Sequence, residues 1–218
     1  MTITKRTKRN GFYYRNGKEY VSVTKVLGET LSKPALMYWY GSQAAKIALK
    51  DPELNDKEVM AQLQLNVRST QDRGKAVHNF LECWAKDGVL PEHSNEYQGY
   101  LTALKSFLAT HKPKALHSEL EVYSDEVNVA GRLDLVIDLN SVKGVVDIKT
   151  GKDLYKEVGL QLAFYKQAMK ETCEVVDKTW ALLLREDGSY MFQEYSDTLE
   201  DFKHVLAVWH WLKKKGEI

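Results

Sequence analysis

Gly131-Arg-Leu-Asp134-Leu-Val-Ile137 and Val145-Val-Asp147-Ile-Lys149-Thr-Gly151, whose Asp147 lies thirteen residues after Asp134, are the two runs on which the reading of this chain turns. Both are β-rich and apolar apart from two carboxylates, an arginine and a lysine. Side chains alternate across a strand, so Asp147 and Lys149 share one face while Val146 and Ile148 take the other. Asn140-Ser-Val-Lys-Gly144 can join the runs as an antiparallel hairpin. Facing and diagonal neighbours in such a pair lie roughly 5–8 Å apart, which brings Asp134 within reach of Asp147 or Lys149. Charges on strands this apolar are costly unless they are partnered. A lone Asp–Lys pair would read as a structural ion pair on a sheet; two acids and a base read as a site. Convergent carboxylates with open positions suit Mg²⁺ or Mn²⁺. A lysine beside them can hold or deprotonate a water, an arrangement suited to phosphodiester hydrolysis.

Working outward, Glu119 and Glu121 lie on the preceding strand, and their spacing puts both on one face. Either extends the acidic site. Gln161 and Tyr165 stand i, i+4 on the following helix, placed to contact the lysine, the water or a phosphate. In isolation they would be an ordinary helix-surface pair. His78 sits on an earlier helix, in Arg73-Gly-Lys-Ala-Val-His78-Asn-Phe-Leu-Glu82. A single histidine on such a helix is usually structural; as a ligand its imidazole nitrogen would favour Mn²⁺ over Mg²⁺.

The rest of the chain supplies a scaffold. Residues 11–26 read as a hairpin around Asn16-Gly17. Helices follow from Pro34, from Asn55, over about 69–86 and over about 95–111, the last with Tyr97, Tyr100, Leu101, Leu104 and Leu108 in helical period. After Pro113 the period changes to strands over 116–123, 127–139 and 145–149. A helix over 157–172, a hairpin around Asp187-Gly188 and a final amphipathic helix complete the order. This predicts an α/β (α+β) fold: a mixed β-sheet flanked by helices, with a helical N-terminal portion. We expect one domain over 1–218, divided into a basic hairpin segment (1–30), a mainly helical portion (31–112) and a sheet-containing core (113–218).

The chain has 218 residues, 44% hydrophobic and 28% charged, which excludes wholesale disorder and rod-like repeats. The near-neutral net charge hides an asymmetry: residues 1–25 carry seven basic groups against Glu19 alone, a balance of +6, and the remainder stands at −5. Lys5, Arg6, Lys8, Arg9 and Arg15, interleaved with aromatics, are candidate nucleic-acid contacts, cations for phosphates and rings for unpaired bases. The competing reading is a solvated tail leading into a hairpin whose aromatics pack on the sheet. Two cysteines, Cys83 and Cys173, cannot form a disulfide framework or a four-cysteine cluster. No membrane-spanning helix or signal peptide is expected, and the expected location is cytoplasmic.

At these residues the sequence resembles the PD-(D/E)xK nuclease superfamily, in its RecB-like exonuclease branch. Gly131-Arg-Leu-Asp134 resembles the G-x-x-D element, Asp147-Ile-Lys149 the D/E-x-K element, Gln161 to Tyr165 the Q-x-x-x-Y helix, and Gly74 to His78 the G-x-x-x-H helix. Val21 to Leu27 resembles a segment of mitochondrial genome-maintenance exonucleases and related phage proteins. The resemblance implies a restriction-endonuclease-like core and Mg²⁺ or Mn²⁺ without an iron–sulfur cluster. It implies His78, Asp134, Asp147 and the Ile148 carbonyl as metal ligands. Lys149 would be the catalytic lysine, with Glu119 orienting metal or water. Arg132 joins the basic residues as a candidate DNA contact. The implied partner is DNA, single-stranded or with free ends, in repair, recombination or phage DNA processing, with a recombination or single-strand-binding protein as a candidate second partner. The alternatives are a non-catalytic DNA-binding recombination accessory protein on the same fold, a structure-specific endonuclease, and a structural domain whose Asp–Lys pairs are ion pairs.

Overall fold

Asn16 and Gly17 both have positive φ (52° and 76°), as a two-residue hairpin turn of matching twist requires, and they fold β1 (Phe12–Arg15) onto β2 (Lys18–Ser22). The computed structural model describes residues 10–218. β2 stops earlier than its β-branched sequence predicts. The Ser22 hydroxyl accepts the Lys25 amide at 3.1 Å and caps α1 (Val23–Thr30), so a local hydrogen bond overrides strand propensity. α2 (Pro34–Lys50) begins on a proline that has no amide to satisfy. The helices expected from Asn55 and over 69–86 are one helix, α3 (Asp56–Asp87). Asn55 and Glu58 form a capping box at its start, Gly88 at φ 70° closes it, and no glycine or proline interrupts the chain between Asn55 and Arg73.

α4 (Gln98–His111) leads into β3 (Lys114–Ser124), β4 (Val129–Leu139) and β5 (Val142–Lys149). Then come α5 (Glu157–Thr172), β6 (Lys178–Leu184), β7 (Tyr190–Tyr195) and α6 (Leu199–Lys215). Among the described residues the strands form one seven-stranded mixed sheet of order β1-β2-β4-β5-β6-β7, with β3 on the far side of β4. The β2–β4 and β5–β6 pairs are parallel and the others antiparallel. One face carries Val136 and Val145 against Phe164, Phe202 and Trp209, from α5 and α6. The other carries Leu135, Ile137, Val146 and Ile148 against Val77, Leu81 and Phe107, from α3 and α4. Helices on both faces of a mixed sheet are the restriction-endonuclease-like arrangement expected above.

Two features position the site. β4 pairs with β3 along its length, but its other edge is divided: β2 takes Val129 and Ala130, and β5 takes Leu135 to Leu139. Residues 131–134 lie in the notch between. The second feature is an arm. α2 and the first half of α3 bury only Ile47 and Leu63, leaving Leu36, Met37 and Tyr38 exposed. No helix among the described residues is long and apolar enough to cross a membrane.

Candidate active site

The notch forms because the sheet opens where its charged residues stand. Asp134 immediately precedes Leu135, which pairs with Val146, yet no backbone pair forms at Asp134. Instead its Oδ2 accepts the Ile148 amide at 2.7 Å, so a side chain substitutes for the missing rung. On the other edge of β4, Ser118 pairs with Leu135 and Leu120 with Leu133, while Glu119, opposite Asp134, is skipped and has φ 51°. A left-handed glutamate within a strand costs of order 1–3 kcal/mol and persists only where its surroundings impose it. Here it separates the two candidate acids that a regular strand would hold on one face. Glu119 turns to His78 and Arg132; Glu121 accepts the Tyr123 hydroxyl at 2.9 Å.

His78, Glu119 and Asp134 offer three ligand atoms within 4.8 Å of one another. His78 Nδ1 lies 3.3 Å from Asp134 Oδ1 and 3.6 Å from Glu119 Oε1, and Arg132 Nε is 2.7 Å from Glu119 Oε2. Asp147 stands outside that trio. It is 2% exposed, and its Oδ2 is 2.5 Å from Lys149 Nζ, so its charge is buried against the lysine. The electrostatics follow. Burial, then the charge of Asp147, pushes the Asp134 carboxyl up to about 7. Burial alone would lower His78 and Lys149, but the surrounding carboxylates outweigh it and hold both above their ordinary values. The imidazole beside Glu119, with Arg132, overcomes burial and keeps that carboxyl below its usual range. Two carboxylates converging on one imidazole, with the buried carboxylate of Asp147 beside them, form a donor set that a hard divalent cation fits.

The Gly131 and Tyr165 motifs prove to be one device. Tyr165 is buried, and its hydroxyl donates to the Arg132 carbonyl at 2.9 Å, a carbonyl in the notch, while accepting from Gln161 Nε2 at 3.0 Å. A Cβ at Gly131 would lie 2.6 Å from the Tyr165 ring and 3.1 Å from Val23. Glycine is therefore what admits the ring. Gln161 and Tyr165 hold the backbone that presents Asp134.

Arg15 is engaged elsewhere: it pairs with Asp125 at 2.8 Å and lies over the Tyr123 ring, in a cluster where Tyr13 and Tyr20 pack edge-on against Tyr123. Lys5, Arg6, Lys8 and Arg9 fall outside the described residues. Sequence reasoning missed a groove of about 1340 Å³ between the helical arm and the far end of β5. Tyr38, Trp39, Tyr40 and Tyr155 line it together with Lys46, Arg73, Lys152 and Arg185, which outnumber the acids Glu157, Glu186 and Asp187. Gln71 borders both this groove and the cleft over His78 and Asp134. The available signal was Met37-Tyr-Trp-Tyr40, on a helix without a single acid.

No curated protein matches the chain. Among solved structures, SSO0001 is similar at 17% identity and TM-score 0.33, over 50% of this chain and 53% of its own, so this chain spans about half of that protein. The alkaline exonuclease LHK-Exo of Laribacter hongkongensis is similar at 10% identity and TM-score 0.44, over 91% of this chain and 93% of its own. LHK-Exo in complex with dAMP gives 12% identity and TM-score 0.29, over 83% and 98%. A family model, the PD-(D/E)XK nuclease superfamily, matches residues 52–208, from just before α3 into α6. That span takes in β3, β4 and β5 with His78, Glu119, Asp134 and Asp147, and the helix that props the notch open, and the chain belongs to the PD-(D/E)XK nuclease superfamily.

Proposed function

We propose that this protein is a divalent-metal-dependent nuclease that hydrolyses DNA phosphodiester bonds, acting as an exonuclease on single-stranded ends. The observation that carries the reading is the convergence of His78, Glu119 and Asp134 within 4.8 Å, beside the Asp147–Lys149 pair, in a sheet notch. His78, Glu119, Asp134 and Asp147 would hold Mg²⁺ or Mn²⁺, with the Ile148 carbonyl assisting. Such an ion supplies positive charge for the phosphoryl oxygens and makes hydroxide available near neutral pH.

The chain's own groups do the rest. Lys149, kept charged by Asp147, orients the attacking water and offsets charge on the phosphoryl group. The water oxygen bonds to phosphorus as the P–O3′ bond breaks. The water gives up a proton and the leaving 3′ oxygen takes one, yielding a 5′-phosphate and a 3′-hydroxyl. Arg132, about half exposed and tethered to Glu119, is placed to meet the incoming phosphate. The single-strand preference is supported by the aromatic and cationic groove that joins the cleft at Gln71, since unpaired bases stack on rings while cations follow the backbone.

The test is digestion of end-labelled linear and covalently closed circular single-stranded DNA with Mg²⁺, Mn²⁺ or a chelator. We expect metal-dependent loss of linear DNA, sparing of circles, and no cleavage by Lys149→Ala or Asp134→Ala proteins of native circular dichroism. Substantial cleavage by either variant refutes the site. Cleavage of circles replaces the exonuclease with an endonuclease.

A further inference from the structure

A second cluster of ligating atoms lies away from the notch and takes no part in the chemistry above. His117 is on β3, Cys173 caps the C-terminus of α5 and Glu174 follows it. Cys173 Sγ is 3.7 Å and Glu174 Oε1 3.2 Å from one atom, His117 Nε2, and the three ligand atoms lie within 4.8 Å of one another. A single ring nitrogen makes one hydrogen bond, as donor or acceptor, so it cannot serve both neighbours well. A cation on its lone pair serves both. Zinc–nitrogen and zinc–oxygen bonds of about 2.0–2.1 Å and a zinc–sulfur bond of about 2.3 Å, at tetrahedral angles, require N···S near 3.6 Å and N···O near 3.4 Å. The observed edges are close to both. Glu174 is also pre-set: Lys143 bonds its other oxygen, Oε2, leaving Oε1 turned to the histidine, as an outer-shell partner does for a ligating carboxylate.

We propose that His117, Cys173 and Glu174 bind a zinc-class divalent ion, with a fourth position open to water on the exposed Cys173 side. The sulfur donor distinguishes this site from the notch, whose donors are carboxylates and one imidazole and suit harder ions. The ion ties the end of α5, the helix carrying Gln161 and Tyr165, to β3, which two residues after His117 carries Glu119. Bound there, the ion cross-links β3 to the end of α5 through three protein ligands, and its open water position sets it apart from a closed four-ligand zinc.

The test uses the full chain in an Asp134→Ala background, titrated with Co²⁺ and then Zn²⁺. We expect one equivalent of cobalt to give a thiolate-to-cobalt charge-transfer band in the near ultraviolet, bleached by zinc. We also expect zinc to raise the melting temperature. Adding Cys173→Ser or His117→Ala should abolish the band and the zinc-dependent shift. An absent band, or one that survives Cys173→Ser, overturns the proposal and leaves an ion pair of His117, Glu174 and Lys143. Nuclease activity is not the readout, so the outcome is independent of the reaction assigned to the notch.

Discussion

Gly131→Ala is the sharpest probe of how the notch is held open. The added methyl would lie 2.6 Å from Tyr165 Cε1 and 3.1 Å from Val23 Cγ1, both packed in the core. Neither is the free end of a flexible chain, so the ring must move. Overpacking of this kind costs about 1–3 kcal/mol. A displaced ring also forfeits the hydroxyl bond to the Arg132 carbonyl, adding about 1–2 kcal/mol for a buried donor and acceptor left unpaired. The sum, about 2–5 kcal/mol, corresponds to a fall of roughly 5–15 °C in melting temperature for a chain of this size. Tyr165→Phe provides the control: it removes only the hydroxyl and should cost about 1–2 kcal/mol. In the double variant the hydroxyl loss is not counted twice, so the two effects should add to less than their sum. Urea unfolding of the four proteins measures this. A Gly131→Ala protein within about 0.5 kcal/mol of wild type, or strict additivity with Tyr165→Phe, would refute the account.

Three further expectations follow from the geometry. Because the Asp134 carboxyl is pushed up to about 7 in the fold, it stabilises the protonated native state below the ordinary carboxylate pKa, and that contribution is lost as pH rises through about 7. In chelator, the wild-type melting temperature should therefore fall across pH 4–8 relative to Asp134→Asn; parallel pH profiles would contradict the site's electrostatics. Glu171 accepts bonds from the Ser124 hydroxyl and the Asp125 amide, both at 2.7 Å, and although burial opposes it these hold its carboxyl below the usual range. Its stabilisation is present above the ordinary carboxylate pKa and disappears as pH falls through the lower folded value. Glu171→Gln should cost about 1 kcal/mol at pH 7, discounted for its exposure, with the gap closing in acid; an unchanged gap in acid counts against it. Trp39→Ala with Lys46→Ala should weaken single-stranded DNA binding several-fold and reduce its salt slope by about one charge, with duplex affinity less affected. Equal effects on both substrates in fluorescence anisotropy would remove the groove from the single-strand path.

Much of this protein was decided locally and can be read from its residues. Alternation places Asp147 and Lys149 on one face, Asn16-Gly17 and Asn55–Glu58 fix a turn and a helix start, and the change of period after Pro113 separates helices from sheet. These depend on neighbours within a few positions, where chemistry and spacing suffice. Tertiary packing decided what depends on distant partners. Nothing local puts Glu119 rather than Glu121 beside His78, because the left-handed turn at Glu119 exists only where β3 passes Asp134. Nothing local makes Gly131 and Tyr165 a single device, since the ring reaches the glycine of β4 from α5. The notch itself arises from two strands dividing one edge of β4, and the aromatic groove from an arm that buries almost nothing. Residue types supplied the chemistry, and the interruption of backbone pairing brought it to one place.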